Sequence, residues 1–157
     1  MLVLLLVLVL ASARLMQTHF DHGKLDAYRL ELEFVAWVSD LLAELDALAQ
    51  KRRLAEVTDQ LDRASLSALL NTAEGNGRRQ RRTRAKFFDD ARGSATECAA
   101  CLDALVAKRA CSAERITAGK ALLVRVVCIL SKLVQMFDET EGFREEPVEY
   151  RIAGASV

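Results

Sequence analysis

The chain has 157 residues, 22 basic against 22 acidic, and 52% of it is hydrophobic. Leucine and alanine supply 49 of those residues, against one proline and seven glycines, which excludes a sandwich or barrel needing a turn every 8–12 residues or so. High apolar content at zero net charge excludes disorder, and the charge balance excludes a uniformly basic nucleic-acid binder, leaving one all-α domain.

Residues 1–23 stand apart. Met1 to Leu10 is an apolar run followed by Ala11-Ser12-Ala13, the outline of a secretory signal. No Lys or Arg precedes the run, and it falls short of the roughly 20 residues that span a bilayer. A start at Met16 fits better, because Met16-Gln17-Thr18 opens a polar, cytosolic-looking segment. The segment is therefore read as a flexible or mis-assigned extension, with a cytoplasmic location and no membrane contact.

The first helix is predicted over Leu25–Gln50, with Tyr28, Leu32, Val35, Leu42, Leu45 and Leu48 inward and Glu31, Asp40, Glu44 and Asp46 on the polar side. Phe34 and Trp37 broaden its apolar stripe, for a deep core or for a face against another subunit. The second of these predicts an oligomer. Lys51-Arg52-Arg53 is read as the cationic end of this helix. The second helix is predicted over Leu54–Glu74, with Leu54, Val57, Leu61, Ala64, Leu69 and Ala73 inward. Gly75 takes its stop position and Gly75-Asn76-Gly77 forms the link.

The third helix is predicted over Arg81–Ala110, with Phe87, Ala91, Ala95, Cys98, Leu102 and Leu105 inward. Gly93-Ser94-Ala95 lets a neighbouring helix approach closely. Cys98 and Cys101 form a C-x-x-C inside this helix rather than after a strand, so they read as small buried hydrophobes. A zinc site joining them to Cys111, Cys128, His19 or His22 matches no ribbon or finger spacing. Ser112 is the predicted N-cap of a fourth helix reaching Phe137 through Ile116, Leu122, Leu123, Val126, Val127, Leu130 and Leu133. Residues 138–157 hold Asp138, Glu139, Glu141, Glu145, Glu146, Glu149 and the only proline, Pro147, and read as an acidic, mobile tail. Residues 24–137 are thus predicted to form an up-down-up-down four-helix bundle.

Catalytic constellations are not found. The only histidines, His19 and His22, lie in the N-terminal segment, away from any Ser or Cys of the bundle. No Glu-x-x-His offers a di-metal site, and Asp89 and Asp90 are helical neighbours pointing apart. Gly75-x-Gly77 follows a helix rather than a strand, so it is no phosphate loop. No enzyme activity, metal or cofactor is expected.

Charge distribution is more informative. Net charge is −4 over residues 1–74, +5 over 75–92 and −1 beyond. The positive stretch contains Arg78, Arg79, Arg81, Arg82, Arg84 and Lys86, with Arg92 further on, and its arginines offer forked donors suited to phosphate. A solvated loop without a partner is the alternative, as is a protein or anionic-lipid partner. Cations at a helix N-terminus oppose its dipole, a cost that asks for an explanation. Separately, Gln60, Arg63, Ser67, Asn71 and Glu74 share one helical face, and Asp90, Ser94, Glu97 and Cys101 share another. These are two solvent-facing stripes, a polar seam in which Arg63 pairs Glu97 and Glu74 pairs Arg92, or a small-ligand site.

Three segments carry a resemblance. Asp59-Gln60-Leu61-Asp62-Arg63-Ala64-Ser65-Leu66-Ser67, Asn71-Thr72-Ala73-Glu74-Gly75 and Phe87-Phe88-Asp89-Asp90-Ala91-Arg92-Gly93-Ser94-Ala95-Thr96-Glu97, in that order, resemble the 23S rRNA intervening-sequence proteins. The resemblance covers Lys24 to about Phe137 and supports Met16 as the start. Gln80 replaces a serine that often caps the third helix, and Thr72 replaces the usual Ile, trimming the core. The resemblance implies a four-helix bundle assembled as a homopentamer, an RNA context and no established activity. By position, Arg63, Ser67, Asn71, Glu74, Arg92, Ser94 and Glu97 match its polar motif. The resulting expectation is a non-enzymatic, oligomeric bundle binding RNA or a ribonucleoprotein through Arg78–Arg92. The alternative is a protein-interaction scaffold without nucleic acid.

Overall fold

The computed structural model describes residues 20–47 and 51–138, with side chains from residue 53 in the second stretch. The readings of the start and of the tail beyond Asp138 lie outside the described residues. A 3-10 turn at Asp21–Lys24 precedes four helices: α1 Asp26–Asp46, α2 Lys51–Gly77, α3 Arg81–Ala107 and α4 Ala113–Asp138. Links of three to five residues join them, short enough to require antiparallel neighbours. Helix contacts run α1–α2, α2–α3, α3–α4 and α4–α1, with none across either diagonal among the described residues. Gln60 meets Glu97 and Ser67 meets Ser94 across α2 and α3. Arg81 meets Met136 and Asp103 meets Lys120 across α3 and α4. Both sets run in opposite directions, as an up-down-up-down bundle requires.

The core is a continuous column that includes Phe34, Val38 and Leu41 of α1, Leu54 and Leu61 of α2, Phe88, Leu102 and Leu105 of α3, and Leu123, Val126 and Leu130 of α4. Burial of side chains this size contributes roughly 1.5–3 kcal/mol each. Most predicted stripes of α2, α3 and α4 face inward, but α3 buries Phe88 and leaves Phe87 half-buried. The stripe of α1 is rotated from the predicted one. Ala27, Leu30, Glu31, Phe34, Val38, Leu41 and Leu45 are buried, while Leu32 is 51% exposed. The helix is apolar around most of its circumference, so several stripes fit 3.6-residue spacing and packing chooses among them.

The apolar width of α1 is used inside the molecule. Phe34 is core. The Trp37 ring lies over Gly119 of α4, where an added Cβ would come within 2.4 Å of it. Arg115 covers the same ring at 5.1 Å and holds Glu44 through two 2.8 Å hydrogen bonds. Trp37 and Phe34 therefore supply no argument for a second subunit.

Several helix ends differ from expectation. Lys51-Arg52-Arg53 opens α2 rather than closing α1. α2 continues through Gly75 to Gly77, so Gly75 is not a stop. Its role is close approach: a Cβ there would lie 3.0 Å from Phe87 and 3.1 Å from the Phe88 ring. Gly93 meets nothing within 4 Å, so the close approach of α3 to α2 is made by Ser94 and buried Ala95. α3 ends at Ala107 instead of Ala110, in a Schellman cap. Ala110 N–H reaches the Leu105 carbonyl, Arg109 N–H reaches that of Val106, and Arg109 takes φ 58°. That left-handed position usually falls to glycine, so sequence offered no stop signal. Ser112 caps α4 as predicted, accepting the Arg115 N–H at 3.3 Å.

Candidate nucleic-acid interface

The basic segment begins in the Arg78–Gln80 link and fills the first turns of α3. Gln80 is the N-cap, but its side chain accepts no helix N–H. It accepts from the Thr83 hydroxyl at 3.2 Å instead. The cationic start is tolerated because antiparallel packing brings the C-terminus of α4 alongside. Arg81 donates to the Met136 carbonyl there, where a helix C-terminus favours positive charge. The guanidinium groups of Arg84 and Arg81 lie 4.2 and 5.3 Å from the centre of the Phe137 ring, within cation–π range. Arg84 also reaches Asn76 Oδ1 at 3.3 Å, while its Nε is buried without a partner.

Three cations of the segment are matched by local carboxylates. Arg78 pairs with Glu74 and lies over Phe87. Lys86 pairs with Asp90, and Arg92 pairs with Asp89, each at 2.6 Å. Arg79, Arg81, Arg82 and Arg84 have no carboxylate partner among the described residues, and of these Arg79 and Arg82 are exposed with no polar partner there at all. An open groove of about 730 Å³ runs between these first turns and the last turn of α4, lined by the cations Arg82 and Lys86, the carboxylates Asp89 and Asp138, and Gln80, Thr83, Ala85 and Val134. Forked, uncommitted guanidinium groups on such a surface suit phosphate or carboxylate oxygens.

The two polar stripes do meet, with different pairings from those predicted. Gln60, not Arg63, bonds Glu97 at 2.6 Å, and Arg63 bonds Gln60 at 2.5 Å. Lower down, Asn71 donates to Ser67 at 3.2 Å, the Ser67 and Ser94 hydroxyls are 3.0 Å apart, and Ser94 donates to the Asp90 carbonyl. Glu74 takes Arg78 rather than Arg92, because the uninterrupted helix places Arg78 one turn on. Glu74 and Arg92 are exposed, so their ion pairs with Arg78 and Asp89 contribute at most about 1 kcal/mol each, and exposed Glu97 has only the neutral Gln60 amide as partner. The seam joins α2 to α3 and adjoins the basic end, where Glu74 holds Arg78 and Asp89, the partner of Arg92, lines the groove.

One polar pair escaped sequence reasoning. Glu31, predicted on the solvent side, is only 2% exposed, and its Oε1 accepts the buried Thr72 hydroxyl at 2.8 Å. Its Oε2 is buried without a partner. Burial, partly offset by that hydrogen bond, pushes the carboxyl up to about 8. The spacing Ala27-Glu31-Phe34-Val38 held the signal, since it lies on a helical stripe. Cys98 and Cys101 are buried free thiols, and burial pushes Cys98 up to about 12, far from thiolate reactivity. Among the described residues no three His, Cys, Asp or Glu side chains converge on a metal-sized site. No described helix is long and apolar enough to cross a membrane.

A search of curated proteins gives no match. A family model described as 23S rRNA-intervening sequence protein matches residues 23–132, spanning α1, α2, α3, the basic link and most of α4, while Met136, Phe137 and Asp138 lie beyond the matched residues. The chain belongs to the 23S rRNA-intervening sequence protein family.

Proposed function

We propose that the protein is a non-enzymatic, oligomeric bundle of the cytoplasm whose basic end binds RNA, alone or within a ribonucleoprotein, through phosphate contacts. The observation that carries this reading is the group Arg79, Arg81, Arg82 and Arg84 at one end of the bundle, four guanidinium groups unmatched by carboxylate among the described residues. The family description, with its reference to 23S rRNA, supports an RNA context. A ring of five, the assembly implied by resemblance, repeats the basic end in each copy, so modest contacts sum. Base edges play little part, because guanidinium groups at a helix start reach backbone oxygens first.

A scaffold without nucleic acid is the second reading. It is favoured by Leu66 and Leu70, one turn apart on α2 and 49% and 57% exposed. Titration of single-stranded RNA at several salt concentrations, with light scattering on the same sample, separates the two. Each phosphate that a guanidinium group neutralises adds about 0.7 to the salt slope of log affinity on single strands. Arg79→Ala/Arg82→Ala should flatten the slope accordingly. No binding at about 50 mM salt, or equal binding by the variant, overturns the RNA reading, and a monomer mass overturns the oligomer.

A further inference from the structure

The groove at the basic end is also where α4 ends. Asp138, the last residue of α4, lines it together with Arg82 and Lys86. The sequence beyond Asp138 is acidic: Glu139, Glu141, Glu145, Glu146 and Glu149 against Arg144 and Arg151. The most acidic segment of the chain is thus tethered at the rim of its most basic surface. Arg82 in the groove and Arg79 in the Arg78–Gln80 link beside it are exposed, with no partner among the described residues. Five extended residues reach at most about 18 Å, ample to pass along a groove that Asp138 already borders. A short tether holds the segment at millimolar effective concentration, and forked guanidinium groups accept carboxylates in the geometry they accept phosphate.

We propose that the acidic segment 139–149 docks in cis across this groove and the adjoining link, its glutamates on Arg82 and Arg79, and competes there with polyanions. The docking stands on charge and position; the competition with RNA rests on the function proposed above. Because the charges are exposed, docking weakens with salt as the screening length falls from about 10 Å at 0.1 M. The tail is then a built-in counter-charge that sets how strong a polyanion must be to occupy the basic end.

Two measurements on the full chain test the halves separately. The first is trypsin cleavage after Arg144, followed by mass, at about 20 mM and 0.5 M salt. Docking predicts slow cleavage at low salt and fast cleavage at high salt in the parent. Arg79→Ala/Arg82→Ala, which leaves the tail sequence untouched, should be cut fast at both. Equal rates for parent and variant at low salt overturn docking, and protection that rises with protein concentration assigns the tail to a neighbouring copy and overturns docking in cis. The second is binding of a labelled oligouridylate at about 50 mM salt. The variant with Glu139, Glu141, Glu145, Glu146 and Glu149 all changed to Gln should bind tighter by about 5- to 150-fold, the span of ordinary site–site couplings, with the gain vanishing at high salt. Protection of Arg144 without any such gain leaves docking standing and removes the RNA competition.

Discussion

Replacing Glu31 by Gln should abolish most of the pH dependence of stability between pH 5 and pH 8. In the folded chain the carboxyl is buried against Thr72 and titrates at about 8, against an ordinary 4.5. Between those values the folded state keeps a proton that the unfolded state releases. Stability therefore falls as pH rises, by about 1.36 kcal/mol per pH unit. From pH 5 to pH 8 the loss is on the order of 4 kcal/mol, a large part of the roughly 5–15 kcal/mol that holds a domain together. Below the unfolded value both states are protonated and the contribution is complete. The carboxyls that ion pairs hold low, Asp21 by Lys24 and Glu44 by Arg115, finish titrating below this window, and Cys98 stays a thiol throughout it. Urea unfolding at pH 5 and pH 8 reads the effect directly: the parent midpoint should drop, and that of Glu31→Gln should stay nearly level. A parent without the drop, or a Gln variant that keeps it, refutes the assignment of a buried, protonated carboxyl. The paired variant Glu31→Leu/Thr72→Val removes donor and acceptor together and should be neutral or stabilising at pH 8, because no orphaned polar atom is left.

Two further substitutions probe the packing. Gly119→Ala places a methyl group inside the Trp37 ring contact and should destabilise by about 1–3 kcal/mol, with a changed tryptophan emission as the specific sign; an unchanged melt would mean the ring does not rest there. Arg109→Gly relieves a left-handed residue in the α3 cap and should stabilise by about 1 kcal/mol; a loss of thermal stability would show that the arginine has a partner that outweighs its strained backbone.

The architecture was legible because four alanine- and leucine-rich segments separated by short polar links leave a chain few choices. The stripes of α2, α3 and α4 alternate clearly enough with charge to be read. α1 does not: Leu32 and Leu30 both fit an apolar face, and only the neighbours decide that Leu30 and Glu31 go inward. Gly75 misled for a related reason. Glycine marks both a helix stop and a close helix crossing, and telling them apart requires knowing that Phe87 and Phe88 return against it. Thr72 reads locally as a trimmed core position, and its partner Glu31 lies 41 residues away in sequence, beyond any local pattern. The seam is legible because its spacing is periodic, while its pairings are not, since each long side chain has several partners in reach.

The basic end shows the same limit and changes the weight of the functional argument. Counted along the sequence, cations at the start of α3 oppose the helix dipole, by roughly 0.3–1 kcal/mol each, and that cost asks for a ligand. In the bundle much of it disappears. Arg81 reaches the C-terminal carbonyls of α4, Arg84 and Arg81 cover Phe137, and Arg78, Lys86 and Arg92 are paired with carboxylates one turn away. These residues have structural work, and removing them confounds binding with folding. Arg79 and Arg82 are different. They are exposed, and among the described residues they take no part in a cap, the core or the seam. Anion binding that changes when these two are removed reports on the surface itself, which makes them the pair on which both the RNA reading and the docked tail stand or fall.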